Sequence, residues 1–207
     1  MAPRAISATP PAEAAPAAGP AETDGRRRRS QDSRARIVQA MLELVHGGEV
    51  APSAEQVAAR ADVGLRTVFR HFRDVDSLYR EMAGVIEGEL HAIIDEPLKA
   101  ADWRAQVLEL VHRRAAVYEK IAPFKRASDV HRHRSPFLEA DHARLVDTSR
   151  EILKRVLPRE IAQDRARFEA LDLLLSFEAW NRLRRDQGLS ARRAAEVVAI
   201  MAARITG

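Results

Sequence analysis

The stretch Ser53–Phe72, SAEQVAARADVGLRTVFRHF, decides how this chain is read. Ser53 is placed to cap a helix, and Gln56 three residues on completes a weak capping box. Val57, Ala58 and Ala61 form the apolar face of that helix. Asp62, Val63 and Gly64 then break the pattern. A second helix is expected from about Leu65 to Phe72, with Val68 and Phe72 on its buried side and Val63 sealing the turn. Its outer side carries Leu65, Arg66, Phe69, Arg70 and His71. Two short helices meeting at such a tight turn make a helix-turn-helix, whose second helix enters the major groove of DNA.

The segment resembles the DNA-binding motif of TetR-family transcriptional repressors, which reads roughly A-G-V-S-x-x-T-x-Y-x-H-F. Ala61, Val63, Thr67, His71 and Phe72 match it. Four positions depart. Asp62 replaces the turn glycine, and Asp tolerates a left-handed turn better than most residues. Gly64 replaces the serine that usually caps the second helix. Phe69 replaces a tyrosine whose hydroxyl reaches a phosphate, and Val75 stands where the family often has a phosphate-binding lysine. The resemblance covers about residues 33–94 well and the C-terminal half by architecture only.

Composition sets the outer bounds. The chain has 207 residues, 46% of them hydrophobic and 31% charged, which reads as a soluble globular protein of one large or two small domains. Formal net charge is only +4, yet the pI is about 9.9 because arginine dominates the basic residues. That balance suits a local basic face, not a polycation. With no cysteine, disulfides and cysteine-based zinc sites are excluded and a cytoplasmic location is expected. No apolar run approaches the ~18 residues of a membrane span, and residues 1–25 lack the apolar core of a secretory signal.

Working outward, residues 1–25 are mostly Ala, Pro, Glu, Gly and Thr and are expected to be disordered. Arg26, Arg27, Arg28 and Arg29 follow as a basic run, placed to touch phosphates or the minor groove as an arm. A first helix is expected over about Ser33–His46 and a fourth from an Asp74 cap to about Ile94. The fourth is about 30 Å long at 1.5 Å per residue, enough to link two domains. Asp102 is read as the cap of a helix to about Lys120, followed by a polar connector over Pro123–Arg134. Ser135-Pro136 opens a helix to about Leu157. Another is expected over about Asp164–Asp186, and Ser190 caps the last, to about Ile205. No strand pattern and no repeat is present. The expected architecture is all-α: an arm (1–30), a three-helix helix-turn-helix domain (31–76), and a helical domain for effector binding and dimerisation (77–207).

Candidate sites follow from chemistry and position. Arg66 and Arg70, four apart on one exposed face, are the expected base readers, since arginine forms two parallel hydrogen bonds with guanine. Leu65 suits a thymine methyl. Ser53 and the amides that begin each motif helix, at Gly64 and beyond, suit the phosphate backbone. Arg73, just past the motif, extends the basic face. By the resemblance, Thr67 and His71 hold phosphates, and Phe69 occupies the family's backbone-contacting position without its hydroxyl.

In the second half, Leu171, Leu174 and Leu175 cannot share one narrow face with Leu173, Phe177 and Trp180. A helix apolar nearly all round is buried on all sides. In the family the last two long helices make a four-helix dimer bundle, which points to Phe177, Trp180, Val197 and Met201 as interface residues. Polar groups interrupt the apolar stripes at Arg114, His142, Ser149, Glu178 and Asn181, with Trp103 and Tyr118 as aromatic walls. Mostly apolar surface with a few fixed polar groups is what a small-molecule site requires, and the family holds its inducer in such a place.

His131, His133, His142 and Asp141 make only a weak metal pattern inside an arginine-rich stretch, so no metal is expected. No nucleophile–base spacing, phosphate loop or cofactor motif is present, so the chain is not read as an enzyme and no cofactor is expected. The function expected is a homodimeric repressor that leaves an inverted repeat in double-stranded DNA when a small apolar or amphipathic effector binds. The alternatives are an activator or ligand-independent regulator of the same fold, or a helical enzyme or adaptor with a vestigial helix-turn-helix.

Overall fold

The computed structural model describes residues 20–207, with side chains from Arg27 onward, and every regular element among them is helical. In chain order these are α1 (Pro20–His46), α2 (Ala54–Arg60), α3 (Leu65–His71), α4 (Val75–Ile94), α5 (Trp103–Arg132), α6 (Pro136–Val156), α7 (Arg159–Gln163), α8 (Arg165–Leu174), α9 (Phe177–Asn181), a π-helical turn (Arg182–Asp186) and α10 (Ala191–Thr206). None is long and apolar enough to cross a membrane, among the described residues.

Local chemistry sets most boundaries. Ser53, Asp74, Asp102, Ser135, Asp164, Ser176 and Ser190 each accept a backbone N–H at the start of a helix. The capping box at Ser53 is complete: its hydroxyl accepts from the Gln56 amide at 3.2 Å, and its own amide donates to the Gln56 side chain at 2.7 Å. Asp62 adopts a positive φ of 50° in the turn between α2 and α3, the backbone state that Asp and Asn tolerate best after glycine.

Three apolar clusters hold the helices together. The first joins Ile37, Met41 and Val45 of α1, Val57 and Ala58 of α2, Val68 of α3 with Phe72 just past it, and Leu78, Tyr79 and Met82 of α4. It also takes Phe124 and Ala127 of α5 and Leu138 of α6. This core therefore runs across residue 76, where the sequence pattern suggested a domain boundary. A second cluster unites Val107, Leu110 and Val111 with Leu153, Phe168, Leu171 and Val198. The third unites Leu90, Tyr118, Ile121, Phe177, Trp180 and Ala194.

The structure corrects the expected boundaries in three places. Helix α1 begins at Pro20, not near Ser33, so the arginine run is helical. Proline is favoured at a first helical position and arginine is a good helix former. The disorder expected for residues 1–25 is thus overturned over 20–25, which are helical, and its remainder, 1–19, lies outside the described residues. Second, α5 does not stop near Lys120 but runs through Pro123 to Arg132. Its stripe of Ile121, Phe124 and Ala127 is buried, and that burial outweighs the hydrogen bond proline cannot make.

Third, the helix expected over Asp164–Asp186 is broken. It ends at Leu174, Ser176 recaps the chain by accepting from the Ala179 amide at 3.1 Å, and α9 passes into the π-helical turn. The five-residue α7 before it had no counterpart in the sequence reading.

Proline in a helix interior ordinarily costs about 3 kcal/mol or more. Pro123→Ala is accordingly expected to stabilise the protein, seen as a higher midpoint of urea unfolding at unchanged slope. An unmoved midpoint would show that α5 carries no strain there.

Candidate DNA-binding face and effector cleft

Helix α3 is only seven residues long, too short to be stable alone, so packing must hold it. Val68 and Phe72 are buried in the first cluster. From α1, Arg34 donates to the His71 carbonyl at 2.9 Å, lies 4.5 Å over the Phe72 ring, and pairs with Glu81 of α4 at 2.9 Å. One guanidinium thus ties the C-terminus of α3 to the helices on either side, where a cation also suits the helix dipole. Arg34 was absent from the sequence reading. Its spacing of three, four and seven before Ile37, Val38 and Met41 puts it on the buried face of α1, and that was the available signal.

With one side of α3 locked, the other is free. Leu65, Arg66, Phe69 and Arg70 are exposed, as are Ser53, Gly64 and Arg73, while Thr67 and His71 are half-buried. Phe69 is 57% exposed, high for an aromatic side chain. The His71 imidazole is held below its ordinary pKa, first by burial and then by Arg70 and Arg34. Its Nε2 is buried without a partner. Arg27, Arg28 and Arg29 are exposed on the first turns of α1; Arg26 shares the helix, and its side chain lies outside the described residues.

A cleft in the second half gathers five of the seven expected effector residues. Arg114, Tyr118, His142, Ser149 and Glu178 line it together with Leu145, Val146, Asp172, Ser176 and Phe177; its volume, open mouth included, is about 350 Å³. Trp103 lies elsewhere, packed on the second cluster under the Arg104 guanidinium. Asn181 is not in the lining either, because the break before α9 resets the helical register on which its position was inferred.

Arg114 explains how the break is tolerated. Buried to 8% exposure, it donates to the Leu175 carbonyl at 3.0 Å and the Ser149 carbonyl at 2.6 Å. The Tyr118 hydroxyl donates to the same Leu175 carbonyl at 2.8 Å. The oxygen freed by ending α8 is therefore satisfied by two side chains of α5. Burial lowers the Arg114 pKa and raises that of Tyr118.

His142 is held below the usual imidazole range, first by burial and then by Lys125 and Arg132. Its Nδ1 is buried without a partner. Glu178 forms no ion pair among the described residues. The cleft thus offers unspent polar groups beside aromatic walls.

Two expected interface residues are placed differently. Phe177 and Trp180 are 5% and 4% exposed, buried within their own chain. The Tyr118 ring meets Phe177 edge-on, and the Trp180 indole donates to Glu119 at 2.9 Å. Leu173, by contrast, is 68% and Ile200 52% exposed, with Met201 exposed and Val197 half-buried on the same stripe of α10. His131, His133 and His142 are dispersed: His131 packs on Tyr79, His133 is exposed and His142 faces the cleft. No cluster suited to a metal is present among the described residues.

Comparison with known proteins adds the fold's kinship. The chain is similar to the crystal structure of a protein named a transcriptional regulator, SCO7518 from Streptomyces coelicolor A3(2). The two are 26% identical, with a TM-score of 0.55 over 84% of this chain and 98% of that one. It is similar also to a transcriptional regulator from Rhodococcus sp. Rha1, RHA1_ro04179, at 16% identity and a TM-score of 0.58 over 85% and 95% of the two chains. No family model matches the chain, and no curated protein matches it in sequence. The all-helical regulator fold thus extends over nearly the full length of both neighbours.

Arg114→Met keeps most of the volume but removes the donor that the Ser149 carbonyl and, in part, the Leu175 carbonyl rely on. The expected cost is about 1–3 kcal/mol in urea unfolding. Arg114→Lys should rescue little, because an ammonium cannot fork between two carbonyls. A variant as stable as the parent would mean that the break before α9 is held by other contacts.

Proposed function

We propose that the chain is a DNA-binding transcription regulator of the TetR type, acting as a homodimeric repressor that a small effector releases from an inverted-repeat operator. The observation that carries this reading is the division of α3: Val68 and Phe72 are buried while Arg66 and Arg70 stand exposed on the opposite side. A short helix fixed on one face and armed with two arginines on the other suits the major groove.

In this reading Arg66 and Arg70 read bases, with Leu65 against a thymine methyl. Thr67, His71, Ser53, Arg73 and the amides from Gly64 onward take the phosphate backbone, and Arg26–Arg29 add phosphate contacts from the start of α1. Phe69 can supply apolar contact only.

The effector occupies the cleft beside Arg114, Tyr118, His142, Ser149 and Glu178. An apolar or amphipathic molecule fits its lining, the apolar part against Phe177, Tyr118 and Leu145. It need only prefer the conformer whose two α3 helices are out of step with adjacent major grooves. Each tenfold preference shifts that equilibrium by about 1.4 kcal/mol. Leu173 of α8 and Ile200 and Met201 of α10, all exposed and apolar, supply the surface for the second subunit, with half-buried Val197 on the same stripe of α10.

Binding-site selection tests the base readers. Arg66→Ala or Arg70→Ala is expected to cost roughly 1–3 kcal/mol on the selected site and to relax the preference at one base pair per half-site. His71→Ala and Thr67→Ala should weaken all sequences about equally. Unchanged preference in both arginine variants would refute the assignment.

Dimerisation has its own test. Leu173→Glu with Ile200→Glu should give a monomer by light scattering at micromolar concentration and lose the bivalent gain on a two-half-site operator. A parent chain that is itself monomeric would overturn the homodimer.

A further inference from the structure

Apolar contacts give α3 its place but not its roll about its own axis. Val68 and Phe72 are buried in the first cluster, and the force that buries them is non-directional. Gly64, at the N-cap of α3, offers no side chain to cap it. The last carbonyls of a helix lack intrahelical partners. Here the His71 carbonyl accepts from Arg34 of α1 at 2.9 Å, and among the described residues no other side chain outside α3 hydrogen-bonds with this helix.

Arg34 is itself held from the other side. Its Nη1 reaches the His71 carbonyl, its Nη2 pairs with Glu81 of α4 at 2.9 Å, and its guanidinium carbon lies 4.5 Å from the centre of the Phe72 ring. Contacts in three directions fix a planar group. Glu81 has no other ion partner among the described residues. The two side chains are 36% and 42% exposed, and an ion pair so exposed adds little to stability. An acid this near the DNA-reading helix also weakens the attraction for phosphates. Neither stability nor charge therefore accounts for Glu81 at this place.

We propose that Arg34 and Glu81 are positioning residues for sequence recognition: Glu81 aims the Arg34 guanidinium, which fixes the end of α3 so that Arg66 and Arg70 meet base edges at the angle paired hydrogen bonds require. The inference rests on the DNA-binding role proposed for α3. A bidentate contact to guanine needs two bonds aligned at once, whereas attraction to phosphates tolerates small rotations. Loss of either residue thus lowers discrimination between sequences more than it lowers general affinity for DNA.

The test uses the full chain and two duplexes of equal length, one carrying the site selected by the parent and one scrambled. The readout is the ratio of the two Kd values, with the urea midpoint measured alongside. Glu81→Ala removes a negative charge near DNA, so charge alone would tighten binding to both duplexes and leave the ratio as it was. The expected result is a ratio about fivefold lower, within the discrimination of one bidentate contact, with the scrambled duplex bound as well as before or better. Arg34→Lys keeps the charge but cannot span a carbonyl and a carboxylate with a rigid fork, and should lower the ratio about tenfold. The double variant should fall no further than Arg34→Lys, since Glu81 acts through Arg34.

Urea midpoints close to the parent's are expected for so exposed a pair, and they separate positioning from folding. An unchanged ratio in Glu81→Ala would overturn the proposal by reducing Glu81 to a surface charge. A ratio kept by Arg34→Lys would overturn it by making Arg34 a phosphate contact, and additive losses in the double variant would break the link between the two residues. A parent that binds both duplexes alike would instead remove the DNA-binding role of α3, and this inference with it.

Discussion

One helix passes through every apolar core of the molecule. Phe124 and Ala127 of α5 belong to the cluster that holds the helix-turn-helix, Tyr118 and Ile121 to the third, and Val107, Leu110 and Val111 to the second. Tyr118, beside the cleft of the second half, and His131, beside α4, are thirteen residues apart on this helix, about 20 Å at 1.5 Å per residue. The continuity of α5 through Pro123 is therefore the constraint on which the relation between the two halves depends. Had the chain broken at Pro123, the first core would lose Phe124 and Ala127, and the halves would be joined through α4 and Leu138 of α6. As it is, a displacement at Arg114 or Tyr118 has a stiff path to the first core.

The cleft end of that path is built around an interruption. Ending α8 at Leu174 frees the Leu175 carbonyl, and Arg114 and Tyr118 capture it. On the far side of α9, Glu119 accepts from Trp180 and pairs with Arg184 at 2.8 Å, pinning the start of the π-helical turn. Arg150 of α6 holds Glu169 and Asp172 of α8 at 2.8 and 2.5 Å. The walls of the cleft are thus joined by directional polar contacts as well as by the apolar packing of the second and third clusters. Such contacts have discrete alternatives, which is what a two-state response to a ligand requires.

How much of this was legible in the sequence depended on how local the deciding force is. The helix-turn-helix was legible to within a residue, because Ser53, Gln56, Gly64 and the spacing of Val57, Val68 and Phe72 all act within a few positions. The C-terminal part of α5 was not. Pro123 and the charges of Lys125, Arg126 and Asp129 argue locally for a loop, and only the partners of Phe124 and Ala127, far away in sequence, decide otherwise. The run LLLSF at 173–177 hid the break in the opposite way: its apolar density imitates a continuous buried helix, while the deciding group, Arg114, lies sixty residues earlier. Five cleft residues were found because interruptions of an apolar stripe survive such errors. Asn181 was lost because it lies beyond the break.

The same limit governs the apolar surface of α8–α10. Phe177 and Trp180 are larger than Leu173 and Ile200, and composition alone ranks the aromatics as the better candidates for an interface. In the fold the aromatics are consumed by Tyr118, Lys125 and Glu119 of α5, and the aliphatic residues are left outside. Periodicity shows that a helix is apolar on two sides, but which side faces its own chain is set by where the neighbouring helix carries its polar anchors. Glu119 supplies the hydrogen-bond acceptor that a buried indole needs, so Trp180 turns inward toward α5. Leu173 and Ile200 need no such partner, and they are the side chains that this arrangement leaves for the surface.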